Sequence, residues 1–263
     1  MGLVISIATA ITFLIISLVV HELAHVLAVN YLGGKVEKVG IFPLGFAARF
    51  RKLESLRAWE RYIIYGAGAL ANAILAAWTF SVSRLSYFGI AWLEELAFYN
   101  LVLCIFNLIP ILPLDGGRIL HQFLSNRIGI LRASRIMVRF GLWFSILLII
   151  LGFLQVILYS YNITLLCAAL YIRRQNKEIV PTLQMEFFQY LNAKTAREKR
   201  RLMPVRKIKI PQNSTLKYAL EHLTIDHFTE FILDEKTHTL PESMLLNHVF
   251  NYGLHGRISD FLN

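Results

Sequence analysis

Residues 18–29, LVVHELAHVLAV, place His21, Glu22 and His25 inside an apolar run that extends from about residue 3 to residue 31. A bilayer core of ~30 Å is crossed by about 20 apolar residues in a helix, so this run predicts a membrane-spanning helix. An ionisable side chain at the centre of such a helix costs roughly 2.5–3.5 kcal/mol and is usually kept for a polar function. The stretch therefore predicts a functional site within the membrane.

The composition agrees with a membrane protein. The chain has 263 residues, of which 56% are hydrophobic, and it contains 18 phenylalanines, which exceeds the apolar share of an ordinary soluble domain. The net charge of +10 lies mainly between apolar stretches, which favours cytosolic loops over a nucleic-acid-binding face. Cys104 and Cys167 lie in apolar runs without metal-type spacing and predict small buried residues without a disulfide framework.

Further apolar stretches near 62–83, 88–112 and 138–158, and a shorter one at 161–172, predict about five transmembrane helices, the last two forming a hairpin. The predicted fold is an all-α polytopic membrane domain at 1–172. The connections between the first two and between the third and fourth spans are basic, so we expect them in the cytosol, with the N-terminus outside and the C-terminus inside. Their basic residues are Lys35, Lys38, Arg49, Arg51, Lys52, Arg57, Arg61, Arg118, Arg127, Arg132 and Arg135.

The last third of the chain has a different composition. Residues 173–202 are rich in charge and predict a linker helix beside the membrane. Residues 203–263 alternate short strand-like and helix-like segments, which predicts a small α/β cytosolic domain. About 60 residues form only a marginal core alone, so we expect this domain to dock or to oligomerise.

His21, Glu22 and His25 form an H-E-x-x-H pattern. In a helix, positions i and i+4 lie one turn apart on one face, so both imidazoles can reach a single metal ion. Zinc is bound tetrahedrally by such nitrogens, and Glu22 would lie beside them as a base for bound water. A core histidine pair is the alternative, but the membrane setting favours a metal.

Asp115, in FNLIPILPLDGGRIL at residues 106–120, is the candidate third ligand. A catalytic zinc takes three protein ligands and keeps one position open. Asp115 follows two prolines that break a helix and precedes two glycines, and irregular backbone at membrane depth is tolerated only where it is buried or faces a cavity. Capping of the next helix is the alternative role, but the presence of His21 and His25 in the same chain favours ligation.

The two motifs together, H-E-x-x-H and then N-x-x-P-x-x-P-x-D-G-G with its aspartate 90 residues after His25, resemble the site-2 protease family of intramembrane zinc metalloproteases. The resemblance implies that His21, His25 and Asp115 bind Zn²⁺ and that Glu22 activates a water, which hydrolyses a peptide bond in or beside a membrane segment. The sequence of the second motif is most similar to that of the sporulation branch of the family. That branch implies a membrane-associated sigma-factor precursor as substrate, a forespore membrane facing the mother cell, membrane-bound regulator proteins and homo-oligomers.

Two asparagines are candidate contacts to the substrate or the reaction intermediate. Asn107 matches the motif asparagine of the family. Asn72 ends the segment GAGALAN at 66–72, where the family often has G-P-x-x-N and this chain has Ala69 in place of proline. A zinc-handling transporter and an inactive protease-like scaffold are the alternatives to a protease, and Glu22 beside one metal-binding pattern argues against both.

Two further segments carry hypotheses. Residues 255–262, HGRISDFL, resemble the end of a cystathionine-beta-synthase (CBS) module, which implies binding of ATP or another adenine nucleotide near Ser259 and Asp260. Residues 35–50, KVEKVGIFPLGFAARF, alternate and turn at 43–45, which predicts a hairpin or re-entrant ribbon able to pair with an unwound substrate. An ordinary connecting loop is the alternative.

Overall fold

The protein is described from a computed structural model. The structure describes residues 2–42, 45–51, 56–85, 91–158, 163–198, 204–211, 213–224, 227–233, 239–252 and 257–258. The chain divides into two compact units, Met1–Ile119 and Leu120–Asn263.

The first unit is built on three helices that pack on one another: α1 (Gly2–Tyr31), α2 (Ala58–Leu85) and α3 (Ala91–Leu108). Between α1 and α2 the chain forms strands β1 (Lys35–Phe42) and β2 (Gly45–Arg51). The strands pair antiparallel, with an irregularity between Val36 and Lys38. The hairpin predicted for residues 35–50 is confirmed, and turn residues 43 and 44 lie outside the described residues.

Four helices of the described chain are long and apolar enough to cross a membrane. They are Ala8–Tyr31, Ala58–Leu85, Ala91–Leu108 and Ile130–Leu158. The last of these is α5, which follows α4 (Asp115–Ile128). Large apolar side chains on their outer faces are exposed, Leu70 and Trp78 by 62% and 61%, as expected of helix faces that meet lipid.

Residues 164–172 of the fifth predicted span, 161–172, form the beginning of a longer helix, α6 (Thr164–Glu198). It lacks an apolar stretch of spanning length because Arg173, Arg174 and Lys177 follow it directly. The helix packs antiparallel along α5: Gly152 lies against Leu166, and Gly141 lies against Asn176. The predicted division into domains at 172 and 202 stays a prediction, and α6 continues through residue 172.

The C-terminal α/β unit, residues 204–258, has the element order β3 (Val205–Lys209), α7 (Leu216–Leu220), β4 (Phe228–Ile232), β5 (Thr239–Pro241) and α8 (Glu242–Tyr252). β4 is central, parallel to β3 and antiparallel to β5. The predicted small α/β fold is confirmed. Its relationship to a CBS module stays a prediction, and Ser259 and Asp260 lie outside the described residues.

The core of this α/β unit includes side chains from the membrane-proximal helices. Ile130 of α5 and Phe187 and Leu191 of α6 are at most 5% exposed and pack with Leu216, Phe231 and their apolar neighbours. The docking expected for a domain of this size is confirmed. One polar pair is also fully buried there: Lys194 Nζ lies 2.7 Å from Glu242 Oε1.

Candidate metal centre

The two histidines of α1 lie on the same helix face, as their spacing predicts. His21 and His25 are 3% and 6% exposed, and their Nε2 atoms lie 3.2 Å apart. The rings meet edge to face. Both imidazoles therefore present one nitrogen to the same point.

Asp115 completes a triangle of ligand atoms. Its Oδ2 lies 3.2 Å from His21 Nε2 and 3.1 Å from His25 Nε2. Zinc–ligand bonds of about 2.0–2.1 Å in tetrahedral geometry separate ligand atoms by roughly 3.3 Å. The three atoms thus fit a zinc ion with a fourth position left for water, and in the described part of the chain this is the one cluster of its kind.

The backbone before Asp115 explains how a carboxylate reaches this point. α3 ends at Leu108, and the following residues form tight turns in which the Leu114 N–H donates to the Ile111 carbonyl at 2.9 Å. α4 then begins at Asp115 itself. A side chain on Gly116 would overlap the Leu108 carbonyl, and one on Gly117 would overlap the Ile111 carbonyl. Glycine is therefore required at 116 and 117 for the close return of the chain that positions Asp115.

His25 is oriented by a backbone group of α2. Its Nδ1 lies 2.7 Å from the Ile64 carbonyl oxygen, which can only accept, so Nδ1 carries the proton and Nε2 of the neutral ring keeps its lone pair for a metal. His21 Nδ1 is buried and has no hydrogen-bond partner among the described residues. Only one of the two imidazoles is held by the backbone in this way.

Gly68 borders the candidate site, although the sequence did not single it out. A Cβ on Gly68 would lie 2.5 Å from His25 Nε2 and 2.7 Å from His21 Nε2. The absence of a side chain is what lets α2 pass directly behind the ligand pair. The only signal in the sequence was a small residue in an apolar helix, which is also common at ordinary helix contacts.

The other predicted residues are placed as follows. Glu22 is half-buried beside His21 on α1. Asn72 lies one helical turn from Gly68, is 0% exposed, and has no hydrogen-bond partner for its side-chain amide among the described residues. Asn107 is half-buried and donates to the Leu103 carbonyl of its own helix at 3.0 Å.

Comparison with known proteins agrees with this geometry. The family model described as Peptidase family M50 matches residues 9–89 and 86–149, more than half of the chain and both sequence motifs. The chain belongs to peptidase family M50. The match confirms, at the level of the family, the resemblance inferred from the two motifs.

Individual M50 relatives are also similar. A zinc metalloprotease of Methanocaldococcus jannaschii is 33% identical over 163 residues, which is 60% of this chain and 45% of the relative. Stage IV sporulation protein FB of Bacillus subtilis is 26% identical over 148 residues, 56% of this chain and 51% of the relative. The chain thus spans about half the length of the curated relatives it matches.

A solved structure matches as well. A site-2 protease from Methanocaldococcus jannaschii superimposes with a TM-score of 0.55 and 30% sequence identity, covering 65% of this chain and 77% of that chain. The helical membrane fold that carries the candidate metal centre is therefore similar to that of a site-2 protease.

Proposed function

We propose that this protein is a zinc-dependent endopeptidase that cleaves its substrate within or beside the membrane. The observation that carries the proposal is the triangle of His21 Nε2, His25 Nε2 and Asp115 Oδ2, with sides of 3.1–3.2 Å. The triangle is built on a helix apolar enough to span a bilayer. Counting from Tyr31 at ~1.5 Å per residue, the histidines lie about 9 and 15 Å from the helix end.

The three ligands would hold the ion, and the chemistry follows from their neighbours. A zinc ion held there would polarise a carbonyl and would lower the pKa of a coordinated water toward about 7. Glu22 takes one proton from the water while the water oxygen bonds to the scissile carbon. Glu22 then passes that proton to the leaving amine as the C–N bond breaks. Water is the nucleophile, so no acyl-enzyme forms.

The β1–β2 hairpin supports a hypothesis for substrate binding. In the described part of the chain it is a two-stranded sheet, so each strand has one edge without a strand partner. The hairpin begins four residues after the end of α1. An extended substrate segment added to that edge would expose its peptide bonds, which a helical segment keeps shielded.

Asn72 and Asn107 are proposed to contact the substrate or the intermediate. Asn72 is supported by its burial with an amide that has no partner in the described residues, since a buried amide without a hydrogen bond costs about 1–3 kcal/mol. Asn107 is supported by its position three residues before the first motif proline. A substrate peptide group would supply the hydrogen bonds that the Asn72 amide lacks.

The sporulation relative supports a finer proposal about the substrate. Similarity to stage IV sporulation protein FB favours a membrane-associated sigma-factor precursor as the substrate. The protein would then lie in a forespore membrane, with its active site and its C-terminal unit facing the mother cell. Membrane-bound regulators and homo-oligomers belong to the same proposal. We also propose that the C-terminal α/β unit is CBS-like and binds ATP or another adenine nucleotide near Ser259 and Asp260.

The test is proteolysis by the purified full-length protein in liposomes with candidate precursors, read as a size shift on a gel. We expect Glu22→Gln to retain zinc and lose cleavage. Asp115→Asn should lose zinc, because asparagine caps a helix as well as aspartate does but lacks its charge. Glu95→Gln, at an exposed position of α3, is the matched control and should resemble wild type.

Cleavage that survives Glu22→Gln would contradict the proposed role of the glutamate. Zinc binding that is unchanged in Asp115→Asn would show that Asp115 only caps α4. Zinc transport into the liposomes, without proteolysis of any membrane-associated precursor, would favour the transporter alternative.

A further inference from the structure

Arg118 lies in the first turn of α4, three residues after Asp115. In the sequence it is one of the basic residues of a connection expected in the cytosol, which accounts for its charge by membrane orientation alone. In the structure its side chain is half-buried and makes contacts on two sides. Both contacts lie within the unit Met1–Ile119, which also carries the three candidate ligands.

The first contact holds the chain that leads to Asp115. Arg118 Nε donates to the Pro113 carbonyl at 3.4 Å, and the Arg118 backbone N–H donates to the Leu114 carbonyl at 3.0 Å. Irregular backbone at membrane depth must find its hydrogen-bond partners within the protein. Arg118 thus supplies donors to the two residues directly before Asp115.

The second contact reaches α2. The guanidinium carbon Cζ of Arg118 lies 6.0 Å from the centre of the Tyr65 ring, at the distance of about 6 Å within which an aromatic face attracts a cation. Tyr65 packs against the buried cluster that includes Val29 and Ile64. The Ile64 carbonyl is the group that binds His25 Nδ1. The ring therefore belongs to the packing that orients His25.

The two contacts connect the two halves of the candidate metal centre. Asp115 follows the connection between α3 and α4, whereas His21 and His25 belong to α1, which packs on α2. The three ligand atoms lie 3.1–3.2 Å apart, and a metal site tolerates displacements of only about 0.5 Å in its ligands. A planar guanidinium that touches both halves restricts the distance between them.

We propose that Arg118 is a positioning residue for the metal centre. Its guanidinium fixes the chain before Asp115 against α2 and so keeps the Asp115 carboxylate within reach of an ion held by His21 and His25. This inference deepens the proposed function and rests on it only for the identity of the ion. Its direct measure is the zinc affinity of the resting protein, without substrate.

The test compares Arg118→Met with Arg127→Met in the full-length protein. Arg127 lies on the same helix and also has an aromatic ring beside its guanidinium, that of Phe123 at 5.1 Å. Its side chain is exposed, however, and that ring belongs to α4 itself. We expect Arg118→Met to weaken zinc affinity about tenfold, the lower end of the 10–100-fold that changes beside metal ligands cost. Competition with a chromophoric chelator measures the affinity, and Arg127→Met should match wild type.

The visible absorption of Co²⁺ bound in place of zinc separates positioning from a general loss of stability. The intensity of this absorption depends on ligand geometry, so a displaced Asp115 carboxylate should change the spectrum of Arg118→Met. A variant that only folds less well would show a smaller amount of the wild-type spectrum. Wild-type zinc affinity in Arg118→Met, or a wild-type spectrum at full Co²⁺ occupancy, would overturn the inference.

Two further variants decide the question if Arg118→Met does not fold. Tyr65→Leu removes the aromatic partner on α2 and should weaken zinc affinity by a smaller factor. Arg118→Lys keeps the charge but lacks the planar fork that reaches both partners, so its affinity should be intermediate. Wild-type affinity in both variants would overturn the inference. Weaker zinc binding by these variants, in a protein whose wild type cleaves no substrate, would uphold the positioning role while the proposed protease function fails.

Discussion

Gly68 has no side chain at the point where α2 passes the two imidazoles. We predict that Gly68→Ala weakens zinc affinity at least tenfold, because the new methyl group would lie 2.5 Å from His25 Nε2 and must displace a ligand. Chelator competition on the purified protein measures the effect.

Gly66→Ala is the matched control, since a Cβ at Gly66 would meet no atom within 4 Å. The same exchange in the interior of the same helix raises helix propensity by about 1 kcal/mol, so this variant should keep its zinc and gain slightly in stability. Equal zinc affinities in the two variants would show that Gly68 does not border the ion.

At the residue scale, the sequence predicted that His21, His25 and Asp115 lie together, because the geometry that brings them together is largely local; that they bind a metal stays a prediction. His21 and His25 are one helical turn apart. The prolines and glycines around Asp115 predict an interruption of the helix there. Gly68 could not be predicted, because its importance depends on which helix packs against α1. Ile64 was equally hidden, since it acts through a backbone carbonyl that every residue has.

At the scale of elements, α5 and α6 raise the question of how often the chain crosses the membrane. Ile130, at the start of α5, belongs to the core of the C-terminal α/β unit. The apolar part of α5, residues 140–158, is about 28 Å long, so the chain must return along it to reach that unit. α6 does so, antiparallel to α5, and the basic side chains Arg173 and Arg174 can extend toward the polar interface.

We therefore predict that α6 crosses the membrane although only its first turns are apolar. Single cysteines at Ile163, 56% exposed, and at Met244, 51% exposed, should react with a membrane-impermeant maleimide from opposite sides of sealed vesicles. The background variant has Cys104 and Cys167 replaced by alanine, since Cys167 is exposed in contrast to the expected burial. Labelling of both positions from one side would contradict the crossing.

The sequence indicated this hairpin but not its extent. A short apolar segment followed by arginines is too short to be predicted as a membrane span. The criterion of about 20 apolar residues applies to a helix that lipid surrounds on all sides. Contact with α5 changes the requirement, because one face of α6 packs on protein and, if α6 crosses the membrane, only the other face would meet lipid. Asn176 shows the effect: it is buried and donates to the Val138 carbonyl of α5 at 2.9 Å.

At the scale of the whole molecule, the ion pair of Lys194 with Glu242 joins α6 to the C-terminal α/β unit. Both side chains are 0% exposed, and Lys194 also donates to the Thr224 carbonyl at 2.9 Å. We predict that Lys194→Met lowers the free energy of unfolding by about 3–5 kcal/mol, because it leaves a buried carboxylate without its cation. Denaturant unfolding of the full-length protein in detergent measures this value.

Lys207→Met provides the comparison. Lys207 is 65% exposed and lies 3.7 Å from Glu230, and an exposed pair of this kind contributes about 0–1 kcal/mol. Similar losses in the two variants would mean that the buried pair is not essential for the attachment of α6.

The sequence predicted that the C-terminal residues need support, since about 60 residues bury too little surface alone. It could not predict where the support comes from, because Ile130, Phe187 and Leu191 are ordinary apolar residues of membrane-proximal helices in the sequence. Only the folded chain shows that they face the same core.

This shared core determines how the chain can be divided in the laboratory. A fragment that begins after residue 202 would lack the part of its hydrophobic core that α5 and α6 contribute. The fragment that ends at residue 202 would expose Phe187 and Leu191 to water. Exchange of the C-terminal α/β unit between members of the family should therefore transfer the first turn of α5 and the final turns of α6 together with the strands. A chimera joined at the charged segment near residue 200 would carry two open hydrophobic surfaces and should aggregate.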